Sequence, residues 1–273
     1  MRDAFLKALN NRVMENSTWL NAEEVTKKFD FFDTYDDVLL FETELAQIVK
    51  LIVLFCDGVG SAAELGAFAA IDEILERLFV VVREHHYIAD SFIKLGPLRR
   101  IEKKIGRGAI AVISDKDVGM SEKDVSKIDK DVFVSLLQSP LHTRLNTNRE
   151  PTTFNPEKSG HIIKLIVGLV QEYGALTADE ILTLLKTLNV NRSIKEISGY
   201  ILCCKAVEWL DVRSRGANDY LVSKVMKVDA ATLSMKAEAK EKVKSRRRML
   251  ILEQWKKIDP QRLLAIKSVR REA

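Results

Sequence analysis

Cysteine and histidine are scarce in this chain of 273 residues. The three cysteines, Cys56, Cys203 and Cys204, are too few and too oddly placed for a disulfide framework. The four histidines form no metal-ligand spacing with them, so we predict neither a metal site nor a cofactor. The sequence also lacks a signal peptide and an apolar run of about 20 residues, which predicts a cytoplasmic protein without a membrane partner.

Hydrophobic residues and positive charge are both plentiful. Hydrophobic residues make up 47% of the chain, enough for one large domain or two ordinary ones. Residues 236–273 hold 13 Lys and Arg against 5 Asp and Glu, so this segment carries a net charge of +8 in a chain whose total is +4. Such a segment is usually a solvated helical face, but it is also a credible footprint for nucleic-acid phosphates.

Residues 51–70 carry the clearest structural signal. The apolar run Leu51–Cys56 does not alternate with polar residues, which is typical of a strand buried on both faces of a parallel sheet. Three residues end this strand: Asp57, Gly58 and Gly60. Ser61, with Glu64 three residues later, predicts a capping box and a helix that reaches about Leu78. This junction would open at the carboxyl edge of the sheet, where α/β folds bind ligands and a helix N-terminus favours anions.

Two more buried strands follow, over Leu78–Val82 and Ala109–Ser114, and helical patterns separate them. This alternation predicts an α/β Rossmann-like parallel sheet in a first domain of residues 1–139. The pair Gly96 and Pro97 predicts the start of a basic helix between these strands.

The second strand runs into two neighbouring histidines, His85 and His86. If this strand ends at the same sheet edge, both lie near Glu64, where an imidazole that titrates near neutral pH can act as an acid or base. The alternative is that both side chains face solvent in an exposed loop. The sequence leaves these two interpretations open.

The C-terminal half has a readable order of elements. A helix over residues 161–172 and two capping boxes, Thr177–Glu180 and Ser193–Glu196, predict three helices. A hairpin over residues 207–223, with its turn at residues 213–218, completes the winged-helix order. The predicted segments are a linker at 140–159, a winged-helix domain at 160–229 and a basic helical tail at 230–273.

Basic residues of this half form a candidate nucleic-acid surface. They are Arg192 and Lys195 on the third helix, Arg213 and Arg215 on the wing, and Arg246, Arg247 and Arg248 in the tail. The third helix is poor in base-reading side chains, and Glu196 lies on or near its exposed face. Because winged helices also dock proteins, contact with a nucleic-acid backbone and protein docking remain alternatives.

The glycine turn resembles a known signature. Residues Gly60–Phe68 are similar to the Gly-Ser/Thr-x-x-Glu-x-Gly signature of nucleoside 2′-deoxyribosyltransferase-like enzymes. A closer resemblance, over roughly residues 1–113, is to the ribosyltransferase-like effectors of bacterial retron defence systems. The motifs that carry it are Leu54–Phe55, Glu64–Phe68, Ser91–Ile93 and Gly96–Arg99. A C-terminal winged helix fits the same family.

This resemblance implies an activity. Glu64 would attack the anomeric carbon of a nucleotide or nucleic-acid substrate, so that an N-glycosidic bond is hydrolysed or the sugar is transferred. Asp57 would orient the nucleophile or bind the base or sugar, although the family's carboxylate stands one residue later, where this chain has Gly58. Substrate contacts are implied for Gly58, Gly60, Ser61, Gly66 and Arg99.

The resemblance also implies partners. A toxic retron effector would be held silent by the retron reverse transcriptase and its multicopy single-stranded DNA/RNA until phage infection, and a higher-order oligomer is left open. The alternative is a non-catalytic, nucleotide-sensing or DNA-binding winged-helix regulator or assembly protein. A family domain would begin with a strand and a glycine-bearing loop, but a helical pattern begins almost at Met1. We therefore expect a catalytic chain to carry that strand upstream of Met1.

Overall fold

A computed structural model of the chain describes residues 1–9, 18–28, 31–121, 127–147, 153–225 and 227–272. The contacts divide it into two compact units. The first unit comprises Met1–Trp19 and Val49–Thr152, and the second comprises Leu20–Ile48 and Thr153–Ala273. Residues 20–48 therefore fold with the C-terminal half, a grouping that the sequence does not suggest. The boundaries at residues 139, 159 and 229 stay predictions.

The first unit contains a parallel sheet of three strands, β1 (Ile52–Cys56), β2 (Leu78–Arg83) and β3 (Ile110–Ile113). Their order is β1-β2-β3, so β2 is the central strand, and every residue of β2 is buried. Cys56 pairs with Val82, and Arg83 pairs with Ile113. The predicted α/β class is confirmed, and the sheet is compatible with a Rossmann-like core.

Helices surround this sheet. Their bounds are α1 (Arg2–Leu9), α5 (Val59–Ala70), α6 (Asp72–Leu75), α7 (Glu84–Ile88), α8 (Arg99–Lys104) and α9 (Lys130–Leu145). Helix α1 packs against α9. A core of aromatic and aliphatic side chains forms beneath them, in which the ring of Phe5 lies 5.2 Å from that of Phe55.

Two local predictions in this unit are wrong, and a third segment, the start of the predicted linker, is helical. The helix after β1 ends at Ala70, because Ile71 has an extended backbone and Leu78 already belongs to β2. Pro97 does not start a helix but lies in a π-helical turn, Lys94–Leu98, which runs into α8. A π-turn shifts the hydrogen-bond pattern by one residue, which suits a residue without an N–H group. Helix α9 continues through Pro140, so the first six residues of the predicted linker are helical. Residues 148–152 of that linker lie outside the described residues.

The second unit has the predicted order of elements. It contains α10 (Ser159–Tyr173), β4 (Ala175–Leu176), α11 (Ala178–Thr187), α12 (Ile194–Ala206), β5 (Leu210–Arg215) and β6 (Asn218–Ser223), and its antiparallel sheet has the order β4-β6-β5. Both predicted capping boxes are present, at Thr177 and Ser193. The hairpin turn is shorter than predicted, because Gly216 adopts a φ of +61° and lets the strands reverse within two residues. Arg213 therefore lies within β5.

Residues 20–48 add three helices to this unit, α2 (Ala22–Lys28), α3 (Phe31–Thr34) and α4 (Val38–Ala46). Helices α3 and α4 pack against α12. Tyr35 is the centre of this contact, since its hydroxyl donates to Glu44 Oε2 at 2.5 Å and lies 3.2 Å from Cys203 Sγ. Gly199 is needed in α12, because a Cβ there would lie 3.0 Å from the Tyr35 ring.

The predicted basic tail is helical and belongs to the fold. Helices α13 (Lys244–Ile258) and α14 (Pro260–Glu272) follow the hairpin, and α14 packs on β5 and β6. Arg262 lies over the Trp255 ring at 4.0 Å and bonds to Glu180 at 2.6 Å. None of the described helices is long and apolar enough to cross a membrane.

Candidate functional site

The carboxyl edge of the parallel sheet gathers charged residues from all three strands. Asp57 follows β1, Arg83 ends β2, and Asp115 comes two residues after β3. Because the three strands are parallel and adjacent, their ends meet at one edge. We call this set of strand ends the sheet-edge site.

Ser61 fixes the turn at this edge, but not in the predicted way. Helix α5 begins at Val59, with Gly58 as its N-cap. The Ser61 hydroxyl accepts the N–H groups of Asp57 and Gly58, both at 3.1 Å, and donates to the Gly58 carbonyl at 3.0 Å. The predicted Ser61–Glu64 capping box is therefore wrong, because Ser61 already lies inside the helix.

Glu64 is the sixth residue of α5 and is exposed. The capping-box position of this helix, three residues after the N-cap, belongs to Ser61, and Glu64 lies about one turn further along. The three predicted substrate-binding glycines have room around them: a Cβ at Gly58, Gly60 or Gly66 would meet nothing within 4 Å. Since packing does not demand glycine there, the space is open to a ligand.

Arg83 ends the central strand, and an arginine that ends an otherwise apolar strand is a signal that the sequence itself contains. Its guanidinium binds Asp115 in a bidentate pair, with distances of 2.9 Å and 2.5 Å, and also donates to the Ser121 carbonyl at 3.0 Å. Only 7% of the Arg83 side chain is exposed. The hydrogen bonds from Arg83 lower the pKa of Asp115, so this carboxyl group stays ionised.

His85 and His86 lie on α7, which begins directly after β2, and their rings are 4.0 Å apart. Burial lowers the pKa of His86, and the neighbouring His85 and Arg83 lower it further, while Asp115 and Asp57 act in the opposite direction. His86 is therefore electrostatically coupled to carboxylates that follow both outer strands. A lowered pKa keeps its imidazole neutral near pH 7.

Asp57 and Glu64 act on a common neighbour. Burial raises the pKa of the Cys56 thiol, and the negative charges of Asp57 and Glu64 raise it further. The amino group of Met1 lies 3.3 Å from Asp57 Oδ2, and one third of the Asp57 side chain is exposed.

Arg99, the remaining predicted substrate-binding residue, is exposed and begins α8.

Three large apolar side chains are exposed on or beside helices α5 and α7. Val59 opens α5 and is 91% exposed, Ile88 ends α7 and is 69% exposed, and Phe92 is 83% exposed. Phe92 stands just before the π-helical turn, which packs against both α5 and α7. We call these three residues the apolar rim.

Most of the predicted nucleic-acid contacts already have acidic partners inside the second unit. Arg192 pairs with Glu196 at 3.5 Å, Lys195 with Asp36 at 2.7 Å, Arg213 with Asp211 at 2.7 Å, and Arg247 and Arg248 with Glu172 at 2.6 Å and 3.2 Å. Arg215 and Arg246 are exposed. Because an ion pair must be broken or shared before its cation can bind a phosphate, these pairs reduce what five of the seven residues can contribute.

These features define a two-part α/β protein, with a candidate ligand-binding edge in one unit and an arginine-rich helix-and-hairpin arrangement in the other. Comparison with protein families is more specific. A family model described as STM3845 retron effector protein matches residues 1–212. The chain therefore belongs to this family of retron effectors and has a role in retron antiphage defence. None of the curated proteins matches the chain.

The matched range contains the whole sheet-edge site, and α12 with Lys195. It also contains Arg192, which was predicted on this helix but lies just before its N-cap, Ser193. It ends inside β5. Arg213, Arg215 and the arginines of α13 lie beyond it.

Proposed function

We propose that this chain is the toxic effector of a retron system and that it cleaves or transfers an N-glycosidic bond, with Glu64 as the nucleophile. The observation that carries the proposal is the position of Glu64: an exposed carboxylate on the helix that opens at the sheet edge. Membership of a retron effector family supports the toxic role. The enzyme would be nucleoside deoxyribosyltransferase-like.

The reaction would proceed in two displacements. A carboxylate oxygen of Glu64 attacks the anomeric carbon, the bond from that carbon to the base nitrogen breaks, and its electron pair leaves with the base, which takes a proton from water. Water then attacks the same carbon and releases Glu64, giving the free sugar; if a second base attacks instead, the result is transfer. The neutral imidazole of His86 suits the base that accepts the proton of this water.

Other residues of the edge would hold the substrate. Asp57 lies at the strand tip, from which it would orient Glu64 or bind the sugar. The free N–H groups at the start of α5 and the open space at Gly58 and Gly60 suit a phosphate. The apolar rim offers a surface on which a planar nucleobase can stack, and Phe92 is its aromatic member.

The second unit would serve for docking. Its helix order, its short strand and its hairpin support a winged-helix assignment. We infer that it holds the effector to the retron reverse transcriptase and multicopy single-stranded DNA/RNA, with Arg215 and Arg246 as its most available cations.

One observation favours a second candidate function. Glu64 and Asp57 are exposed, whereas glycosidic chemistry benefits from a site that excludes water. A non-catalytic nucleotide-sensing regulator or assembly protein would tolerate that exposure. Closure over the sheet edge by a substrate or a partner would be needed for catalysis.

The experiment that separates the two functions measures base release. Purified protein is incubated with nucleotides, deoxynucleotides, NAD and nucleic acid, and free base is quantified by chromatography. We expect release by the wild type and a loss of several orders of magnitude in Glu64→Gln, because the amide cannot act as an anionic nucleophile. Glu76→Gln, an exposed glutamate in the turn before β2, is the matched control and should keep full activity. Equal activity of Glu64→Gln and Glu76→Gln would refute the assignment.

A further inference from the structure

The second unit contains a cleft of about 330 Å³ lined by cationic side chains. Its walls come from α10, from the segment after β6 and from the start of α13. The residues that matter for its charge are Glu172, Asp229, Lys242, Lys244, Arg247 and Arg248. Four cations face two anions, so the cleft carries a surplus of two positive charges.

Hydrogen bonds from α10 anchor the segment after β6, which forms one wall of the cleft. Gln171 of α10 is buried and bonds to this segment three times, through the carbonyls of Val225 and Val228 and the N–H group of Ala230, at 2.7 to 3.0 Å. Gly168 allows the close approach, because a Cβ there would lie 2.9 Å from the Cβ of Ala231. The cleft is therefore a built feature of the fold.

Two acidic side chains orient the arginines of the cleft. Glu172 is buried and accepts one hydrogen bond from Arg247 and one from Arg248, and Asp229 accepts a second bond from Arg248 and pairs with Lys244. Each guanidinium has five N–H donors, so a carboxylate that holds one edge leaves other donors for a ligand. Among the described residues, the ammonium group of Lys242 has no hydrogen bond or ion pair.

We propose that this cleft binds phosphate groups, with Lys242 and Lys244 as direct contacts and Arg247 and Arg248 as donors positioned by Glu172. The ligand has the chemistry of a phosphodiester or a small polyphosphate, and the hydroxyls of Thr232 and Ser234, which also line the cleft, suit phosphate oxygens. This proposal gives a chemical basis to the inferred docking to retron nucleic acid. It rests on that proposed function only in naming the nucleic acid as the source of the phosphate. It makes no use of Glu64.

The test compares two double substitutions on the purified full-length chain. Lys242→Gln with Lys244→Gln removes two charges at the cleft. Lys256→Gln with Lys257→Gln removes two charges from the exposed last turn of the same helix and is the matched control. Binding of a fluorescent single-stranded DNA is measured over a range of salt concentrations, and inorganic pyrophosphate is titrated calorimetrically to distinguish a backbone phosphate from a free one.

We expect the cleft variant to lower the salt slope for single-stranded DNA by about 1.4, which corresponds to about 25-fold weaker binding at ~0.1 M salt. The control variant should lose much less affinity. Weaker binding of pyrophosphate alone would assign the cleft to a small phosphate ligand. Because Lys244 pairs with Asp229, Lys242→Gln alone provides a variant that removes no ion pair.

Equal losses in the cleft and control variants, or no binding of either probe by the wild type, would overturn the proposal. Base release tests the proposed activity separately, since by this account it does not depend on these lysines.

Discussion

Replacing Tyr35 with phenylalanine removes a single hydroxyl group from the contact between residues 20–48 and α12. The hydroxyl is buried, which raises its pKa far above the usual range, so it remains a donor to Glu44. Phenylalanine keeps the ring and its packing, and the change therefore isolates the polar contacts of the hydroxyl with Glu44 and Cys203. A bond to a charged acceptor contributes about 1.5–3 kcal/mol, and a bond to a neutral one contributes about 1 kcal/mol.

The stability lost in Tyr35→Phe should depend on pH, because the hydrogen-bond acceptor Glu44 is an ionisable group. Burial raises the pKa of Glu44 in the folded state, and the hydrogen bond from Tyr35 opposes that rise. Below the pKa that Glu44 has in the unfolded protein, its carboxyl group is protonated in both the folded and the unfolded state. Its ionisation then makes no contribution to the free energy of unfolding. As pH rises through the raised folded pKa, Glu44 ionises in the fold and stability falls. Tyr35→Phe removes a donor to the ionised form, so its cost is larger at high pH.

Urea unfolding followed by fluorescence gives the measurement. With a slope of about 2 kcal/mol/M, a loss of ~2 kcal/mol moves the midpoint by about 1 M near pH 8, and a loss of ~1 kcal/mol moves it by about 0.5 M near pH 5. The control is Tyr173→Phe in the same unit, where the described residues offer the hydroxyl no hydrogen bond. If Tyr35→Phe behaved like Tyr173→Phe at both pH values, residues 20–48 would not be packed on α12 as described.

Two further substitutions test the sheet-edge site. Arg83→Met should destabilise the protein by about 3–5 kcal/mol at neutral pH. The substitution removes the guanidinium that pairs with Asp115 and leaves this ionised carboxylate without its bidentate partner among the described contacts. Since Asp115 has a lowered folded pKa, this difference should shrink as pH falls through that value, which thermal melting at several pH values can follow. Phe92→Ala should weaken binding of nucleotide to the inactive Glu64→Gln protein by about tenfold if a base stacks on the ring, whereas Phe32→Ala, which also truncates an exposed phenylalanine, should have no effect. Identical affinities in the two phenylalanine variants would remove the apolar rim from the substrate site.

The strands of the parallel sheet were predictable because their signal is local. An apolar run such as Leu51–Cys56 has few alternatives once a glycine turn follows it. The capping boxes at Thr177 and Ser193 were predictable for the same reason, since each joins residues three apart. The start of α5 was not, because the Ser61 hydroxyl has two ways to satisfy backbone groups and the sequence does not choose between them.

Long-range pairs were beyond the sequence. Tyr35 meets Cys203 across 168 positions, and Arg83 meets Asp115 across 32. No periodic pattern encodes such contacts, since they depend on how distant elements pack. The same limit affected the basic residues: Lys195 looked available for phosphates because nothing in its local sequence indicates Asp36 as its partner.

The central claim is that Glu64 is a nucleophile, and a trapped intermediate tests it most directly. The protein is mixed with a substrate from which it releases base, quenched in acid within the time of one turnover, digested and analysed by mass spectrometry. The account predicts a sugar or sugar-phosphate ester on the peptide that contains Glu64, and no such adduct in Glu64→Gln. Base release accompanied by an adduct on another residue would contradict it.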